Sequence, residues 1–370
     1  MRSLSSLPRA LSRAVTALAV TAAAALSSCV DPVSLEVEGE TDRVVVDALV
    51  EQGPGPHTVA LSFTADFERG IDALQEPING AEVQVTTGDG DIVMLAGEGG
   101  GVYRTAAGAL VGAVGQSYAL RFRLPDGREF ASSTETMLPS PEGTQATAVY
   151  VQNEILVGQT LVNQDEVSLR VDAPDPAGEP NFYRWTWRGT YRVNVACGFT
   201  TPPEECGIQY GSCRGVSRVE VASDRLSDGG VLRDQPVATL PWQLFGRLFS
   251  EPFYLEVEQQ ALTAGAHAYW ERVRDTRDRT GGLFDPAPDA IIGNITNVDD
   301  ERDFALGYFT VVGTSTTETC PVAADFPDRA PLGDPEADPP PPFPSFQCPG
   351  GLRPTPSPRY VQACTRPPAG

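Results

Sequence analysis

From Val44 onward the chain alternates apolar and polar positions with a period of two. Val44–Val50 is apolar and largely β-branched, and Gly53-Pro54-Gly55-Pro56 ends it, since glycine and proline in such clusters turn the chain. In His57–Thr64, Val59, Leu61 and Phe63 share one face, as a half-buried strand requires. After Asn79-Gly80, Val83 and Val85 alternate with Glu82 and Gln84 through Ala81–Thr87. Gly88-Asp89-Gly90-Asp91 then reads as a hairpin connection into Ile92–Leu95. Tyr118, Leu120, Phe122 and Leu124 form another period-two face, and Asp126-Gly127 turns into Arg128–Thr134. About seven short strands at this spacing, with no helical window, predict an immunoglobulin-like β-sandwich over residues 43–138.

Pro139-Ser140-Pro141-Glu142-Gly143 reads as a linker, and a β-rich domain is expected over residues 145–319. Its strand signals are Val149–Val157, Glu166–Val171, Phe182–Val195, Leu255–Gln259, Ile291–Val298 and Leu306–Val312. Within Phe182–Val195, Tyr183, Trp185 and Trp187 point one way and Arg184, Thr186 and Arg188 the other. One helix is predicted near 263–279, with Thr263 as N-cap, Ala266, Trp270 and Val273 on one stripe, and Gly281-Gly282 as the stop. Residues 320–370 form a proline-rich tail, with 15 prolines in Pro321–Gly370, and cannot build a core of their own. The expected fold class is mainly β: an immunoglobulin-like β-sandwich followed by a β-rich domain with one docked helix.

The N-terminus breaks the pattern. Arg2, Arg9 and Arg13 precede an apolar stretch, Ala14–Leu26, interrupted only by Thr16 and Thr21. It is too short to span a bilayer, which takes about 20 residues, and suits a secretory signal. Leu26-Ser27-Ser28-Cys29 matches the lipobox cleaved before a lipidated cysteine. Residues 1–28 are therefore expected to be a lipoprotein signal peptide and Cys29 the lipidation site, with 29–42 as an acidic tether. An ordinary signal peptide cut near Ala25 is the alternative. Acylation at several positions supplies the multiple chains that stable anchoring needs.

Composition narrows the chemistry. All 27 cationic residues are arginine, and 49 acidic residues bring the 370-residue chain to −22. Removing residues 1–28 with their three arginines leaves 342 residues at −25. Such a field repels phosphate backbones, which argues against a nucleic-acid partner. Only His57 and His267 are available for imidazole chemistry. Each reads as a packing or surface residue, and no nucleophile elbow, phosphate loop or zinc-protease motif occurs. Cys197, Cys206, Cys213, Cys320, Cys348 and Cys364 lack the Cys-x2-Cys spacing of zinc knuckles and are expected to pair as disulfides in an oxidising compartment, in one of 15 connectivities. No metal and no cofactor is expected, because Asp299-Asp300-Glu301-x-Asp303 lacks the glycine and the alternate spacing of a calcium loop. Tyr183, Trp185 and Trp187 are weighed as a ligand or partner face against the reading that they fill a core.

One ordered set of segments carries a family resemblance. After the lipobox cysteine come Val44-Val45-Val46-Asp47, Gly55-Pro56-His57-Thr58-Val59, Gly80-Ala81-x-Val83-x-Val85, Gly101-Val102-Tyr103 and Gly115-x2-Tyr118-x-Leu120. Phe182-Tyr183-Arg184-Trp185, Ala268-Tyr269-Trp270, Gly282-Leu283-Phe284-Asp285-Pro286, Gly293-Asn294-Ile295 and Gly307-Tyr308-Phe309 follow. Over roughly residues 29–320 the chain resembles the bacterial lipoprotein family catalogued as domain of unknown function 4249, widespread in Bacteroidota. The resemblance carries over no catalytic or ligand residues. It implies a lipid-anchored envelope protein whose relatives accompany TonB-dependent outer-membrane transporters.

The expected function is a non-enzymatic, lipid-anchored accessory or binding subunit of an outer-membrane, TonB-dependent uptake system, with the membrane and a β-barrel transporter as partners. A surface adhesin or structural envelope protein is the second expectation, and a carboxylate-based hydrolase the third.

Overall fold

The computed structural model of the protein describes residues 43–64, 75–157, 160–176, 181–195, 207–216, 221–222, 230–241, 252–278, 290–326, 346–347 and 364. The signal segment 1–28, Cys29, the tether, Cys197, Cys206, Cys348, the side chain of Cys213 and nearly all of the tail lie outside the described residues. All that follows concerns the compact unit Thr41–Gly370.

Nine strands come first: β1 Val44–Glu51, β2 Thr58–Thr64, β3 Gln75–Pro77, β4 Glu82–Thr87, β5 Ile92–Gly99, β6 Val102–Arg104, β7 Ser117–Arg123, β8 Glu129–Ser132 and β9 Glu135–Thr136. Then come β10 Gln145–Val157, β11 Thr160–Pro174, β12 Phe182–Val195, β13 Gly207–Val216, β14 Val221–Ala222, β15 Val231–Pro241 and β16 Tyr254–Leu262. The helix α1 Ala264–Asp278 leads to β17 Ile292–Asn297, β18 Phe304–Thr319 and β19 Phe346–Gln347. The fold is mainly β.

The first half of the chain does not form two separate facing sheets. Its strands make one hydrogen-bonded ring, in the order β1-β2-β6-β5-β4-β7-β8-β17-β18, which closes because β18 also pairs with β1. Eight neighbouring contacts in this series are antiparallel. Eight reversals return a strand to its starting direction, so the closing contact must be parallel. It is, from Val45↔Leu306 to Glu51↔Val312. The period-two pattern fills the interior: Val44, Val46, Ala48 and Val50 of β1 meet Leu61, Val83, Tyr118, Leu120, Phe122, Phe130 and Phe309 in one core.

The expected immunoglobulin-like sandwich at 43–138 is thus replaced by a ring whose last two strands come from beyond residue 290. Alternation marks one face of a sheet for burial and leaves open whether that face meets another sheet or curls on itself.

Strand β18 also builds the second half. Past the ring, Gly313–Thr319 pair with Ala261–Leu255 of β16, and the sheet continues through β12 and β13 to β19. A three-stranded sheet, β10-β11-β15, packs over it. The shared core takes Val167, Leu169 and Val171 from β11, Tyr183, Trp185 and Trp187 from β12, Val237 and Leu240 from β15, and Leu255 and Val257 from β16.

Helix α1 covers the junction, packing Ala266 and Tyr269 against Leu262, Tyr308 and Val312. Thr263 caps it, its Oγ1 accepting from the Ala266 amide at 3.2 Å. The segment read as a linker is stitched in place: Ser140 Oγ donates to the Gln259 carbonyl at 3.1 Å, and Ser315 Oγ to the Pro141 carbonyl at 2.8 Å. Cys320, just past β18, is bonded to Cys364, so one expected disulfide joins the tail to the end of the strand.

Candidate functional site

The aromatic strip of β12 is not a surface. Tyr183, Trp185 and Trp187 are 1%, 0% and 2% exposed, which removes them as a ligand face and leaves the packing role. Their polar atoms turn inward as well: Tyr183 donates its hydroxyl to Asp175 at 3.2 Å, and Trp185 Nε1 to Gln259 Oε1 at 3.1 Å. Burial, with Asp175 beside it, pushes the Tyr183 hydroxyl pKa up. Large rings on a strand between two layers bury the most apolar area per residue, so the core claims them first.

The opposite face of the same sheet is polar, because residues of opposite parity point away from the aromatic core. Cross-strand registers line up three rows on it: Arg188, Glu256 and Glu318; Thr186, Glu258 and Thr316; Arg184, Gln260 and Thr314. Arg188 pairs with Glu256 at 3.5 Å. The Tyr254 hydroxyl lies 2.8 Å from Glu318 and 3.1 Å from Glu256. Gln260 Nε2 donates to Glu258 at 2.9 Å. The Arg184 guanidinium lies over the Trp270 ring at 3.9 Å from its centroid, which joins the helix to this face.

The ring adds one group. Glu51 ends β1, and its neighbour Gln52 accepts from the Thr314 amide through Oε1 at 3.3 Å. Burial raises the Glu51 pKa above its ordinary value, the nearby Glu258 adds to that, and Arg188 opposes it. A raised carboxyl pKa with a second carboxylate nearby marks a place as a candidate for proton-transfer chemistry. The strip Glu51–Glu258–Arg188–Glu256 is the candidate site. No local pattern marks it, because acidic residues are abundant throughout and the pair is brought together only where the ring meets the sheet.

A second polar group is enclosed at the junction. Glu135 is 6% exposed and accepts hydrogen bonds from Tyr308 Oη at 2.6 Å, Thr263 Oγ1 at 2.6 Å and Asn294 Nδ2 at 3.3 Å. It joins β9, the helix cap, β17 and β18, which is a positioning role. Burial, aided by Glu135, holds the Tyr308 hydroxyl above its ordinary pKa.

The two histidines are buried. His57 Nδ1 accepts from the Glu51 amide at 3.4 Å, which leaves Nε2 to donate to the Leu110 carbonyl at 3.1 Å. His267 stacks against Phe182 with ring centroids 4.8 Å apart. The acidic turn 299–303 is a closed hydrogen-bonded loop: Arg302 holds Asp300, and Asn297 Nδ2 donates to Asp303 at 2.8 Å. Among the described residues no group of three His, Cys, Asp or Glu side chains is arranged to hold a metal. A depression of about 530 Å³ is lined by glycine at four of its eight residues (Gly80, Gly97, Gly99 and Gly100), and its one hydroxyl, of Tyr103, already bonds Ile78 and Ala81.

The family described as Domain of unknown function (DUF4249) matches residues 30–318. The chain belongs to the DUF4249 family. The match runs from before β1 to one residue short of the end of β18, so the DUF4249 region contains the closed ring and the strands β12, β16 and β18 that carry the acidic strip. No curated protein matches this DUF4249 chain. Among solved structures, a DUF4785 family protein from Legionella pneumophila subsp. pneumophila str. Philadelphia 1 is 13% identical, over 59% of this chain and 52% of that one, with a TM-score of 0.19. The chain thus spans about half of that protein.

Proposed function

We propose that this DUF4249 chain is a lipid-anchored cell-envelope protein, an accessory or binding subunit of a TonB-dependent uptake system of the outer membrane. The observation that carries the reading is the spacing of Cys29 from the fold. The first strand begins at Val44, and 15 residues extended at about 3.3–3.6 Å each reach roughly 50 Å at most. A lipid on Cys29 would therefore keep the start of β1 within roughly 50 Å of its attachment point. The test has two parts. Cys29→Ala should abolish labelling by a fatty-acid probe and release the chain from the membrane fraction. The lipidated protein should co-purify with a β-barrel transporter. Unchanged membrane retention of the variant would refute the anchor; an anchored protein that brings down no barrel would favour an adhesin or structural role.

The raised pKa of Glu51 beside Glu258 supports a second reading, a carboxylate-based hydrolase. It requires turnover of a glycan panel that Glu51→Gln removes while the fold, followed by circular dichroism, is kept.

A further inference from the structure

The connection from β3 to β4 brings a reactive pair of neighbours to the surface. Of the seven asparagines in the chain, Asn79 alone precedes a glycine; Glu154, Gln164, Phe182, Val195, Ile295 and Val298 follow the others. Asn79 and Gly80 are both exposed, and they line the glycine-edged depression together with Gly97, Gly99 and Gly100. Gly80 has φ +78°, and a Cβ built on it would meet nothing nearer than Pro125 Cγ at 3.8 Å. Without a side chain of its own, Gly80 leaves its backbone nitrogen open to close approach.

The Asn79 side chain is held from the other end. The Gly101 amide donates to Asn79 Oδ1 at 3.0 Å. Gly101 is itself fixed, its carbonyl accepting from the Leu61 amide at 2.8 Å, while the Ile78 amide donates to the Leu61 carbonyl at 2.9 Å. A fixed donor on Oδ1 draws charge from Cγ and stands where negative charge collects when a nucleophile adds to that carbon. The nucleophile is the next atom group along the chain, so the addition is intramolecular and needs only alignment.

We propose that Asn79 is a site of self-modification through a succinimide. The Gly80 backbone nitrogen gives its proton to water or hydroxide and bonds Asn79 Cγ. The bond from Cγ to Nδ2 breaks, and Nδ2 leaves as ammonia. Water then opens the ring: attack at Cγ gives aspartate, and attack at the main-chain carbonyl gives isoaspartate. Either product adds a negative charge. Isoaspartate also routes the main chain through an extra carbon beside Ile78, which is 3% exposed in the ring core. The inference goes beyond the proposed envelope role and does not depend on it.

The experiment incubates the purified full chain, kept folded in mildly alkaline buffer, and maps it by mass after cleavage at arginine. The peptide Gly70–Arg104 contains Asn79 and no other asparagine. Aspartate and isoaspartate are expected at this position, forming at least about tenfold faster than at any other asparagine. Asn79→Gln should remove the product, because its extra methylene would force closure through a larger ring. A folded chain whose Asn79 stays intact while the denatured chain reacts would show that the Gly101 bond locks the side chain away from the Gly80 nitrogen, and overturns the inference. So does conversion spread evenly over the asparagines, or a product in Gly70–Arg104 that survives Asn79→Gln.

Discussion

The hydroxyl of Tyr308 donates to Glu135 at 2.6 Å, joining positions 173 residues apart. That bond connects the strand that closes the ring to the last strand before the second half, with Thr263 and Asn294 completing the carboxylate's partners. A hydrogen bond to a buried charged group contributes about 1.5–3 kcal/mol, and leaving the partner unsatisfied removes that much. Tyr308→Phe is therefore expected to cost about 2 kcal/mol and lower the melting temperature by several degrees. A variant that melts with the wild type would show that the bond is not made in solution.

His57 gives a pH dependence with a definite sign. Burial lowers its pKa below the ordinary value of 6.5, against the opposing effect of its backbone hydrogen bonds. Below about pH 6.5 the unfolded chain takes up the proton first, so stability falls as the pH drops from there through the folded-state value. Protonation would also turn Nδ1 from an acceptor into a donor facing the Glu51 amide. The melting temperature of His57→Asn should therefore fall less between pH 7 and pH 5 than that of the wild type; equal slopes would remove His57 as the source.

Ring closure rests on a glycine. Gly307 has φ +109°, and a Cβ there would lie 1.9 Å from the Val46 carbonyl oxygen, in the parallel contact between β1 and β18. Gly307→Ala combines an unfavourable backbone conformation with a steric clash and should destabilise by more than about 3 kcal/mol. Loss of soluble protein or a large drop in melting temperature is expected, whereas Gly90→Ala, a left-handed turn position with open space around it, should be much milder.

The cysteines can be ordered further. With Cys320 bonded to Cys364, the remaining four allow three connectivities. Non-reduced peptide mapping should find Cys320 with Cys364 and Cys197, Cys206, Cys213 and Cys348 paired among themselves; a free thiol in the denatured, unreduced protein, or another partner for Cys320, contradicts this.

Much of the local structure was legible in the residues. The alternation of Val83 and Val85, the face Tyr118–Leu124, the turn Gly88–Asp91 and the helix opening at Thr263 all have local causes: side-chain period, turn chemistry and capping. The candidate site was not legible. Glu51 is one acidic residue among 49, and its raised pKa comes first from burial and then from Glu258, two effects that arise only where β18 pairs with both β1 and β16. The aromatic strip Tyr183, Trp185 and Trp187 was visible as a shared face, but its solvent exposure depended on a second sheet whose position no local spacing records.

The sequence by itself determined that the chain is mainly β, because alternation and turn residues act within a few positions of one another. It also set the charge and the alternating direction of side chains along a strand, since parity follows from the backbone. Only the tertiary structure decided that the first strands curl into a ring rather than stack as a sandwich. That outcome depends on β18, whose Leu306–Val312 close the ring and whose Gly313–Thr319 open the next sheet. A parallel contact between strands so far apart in sequence leaves no local signature in either.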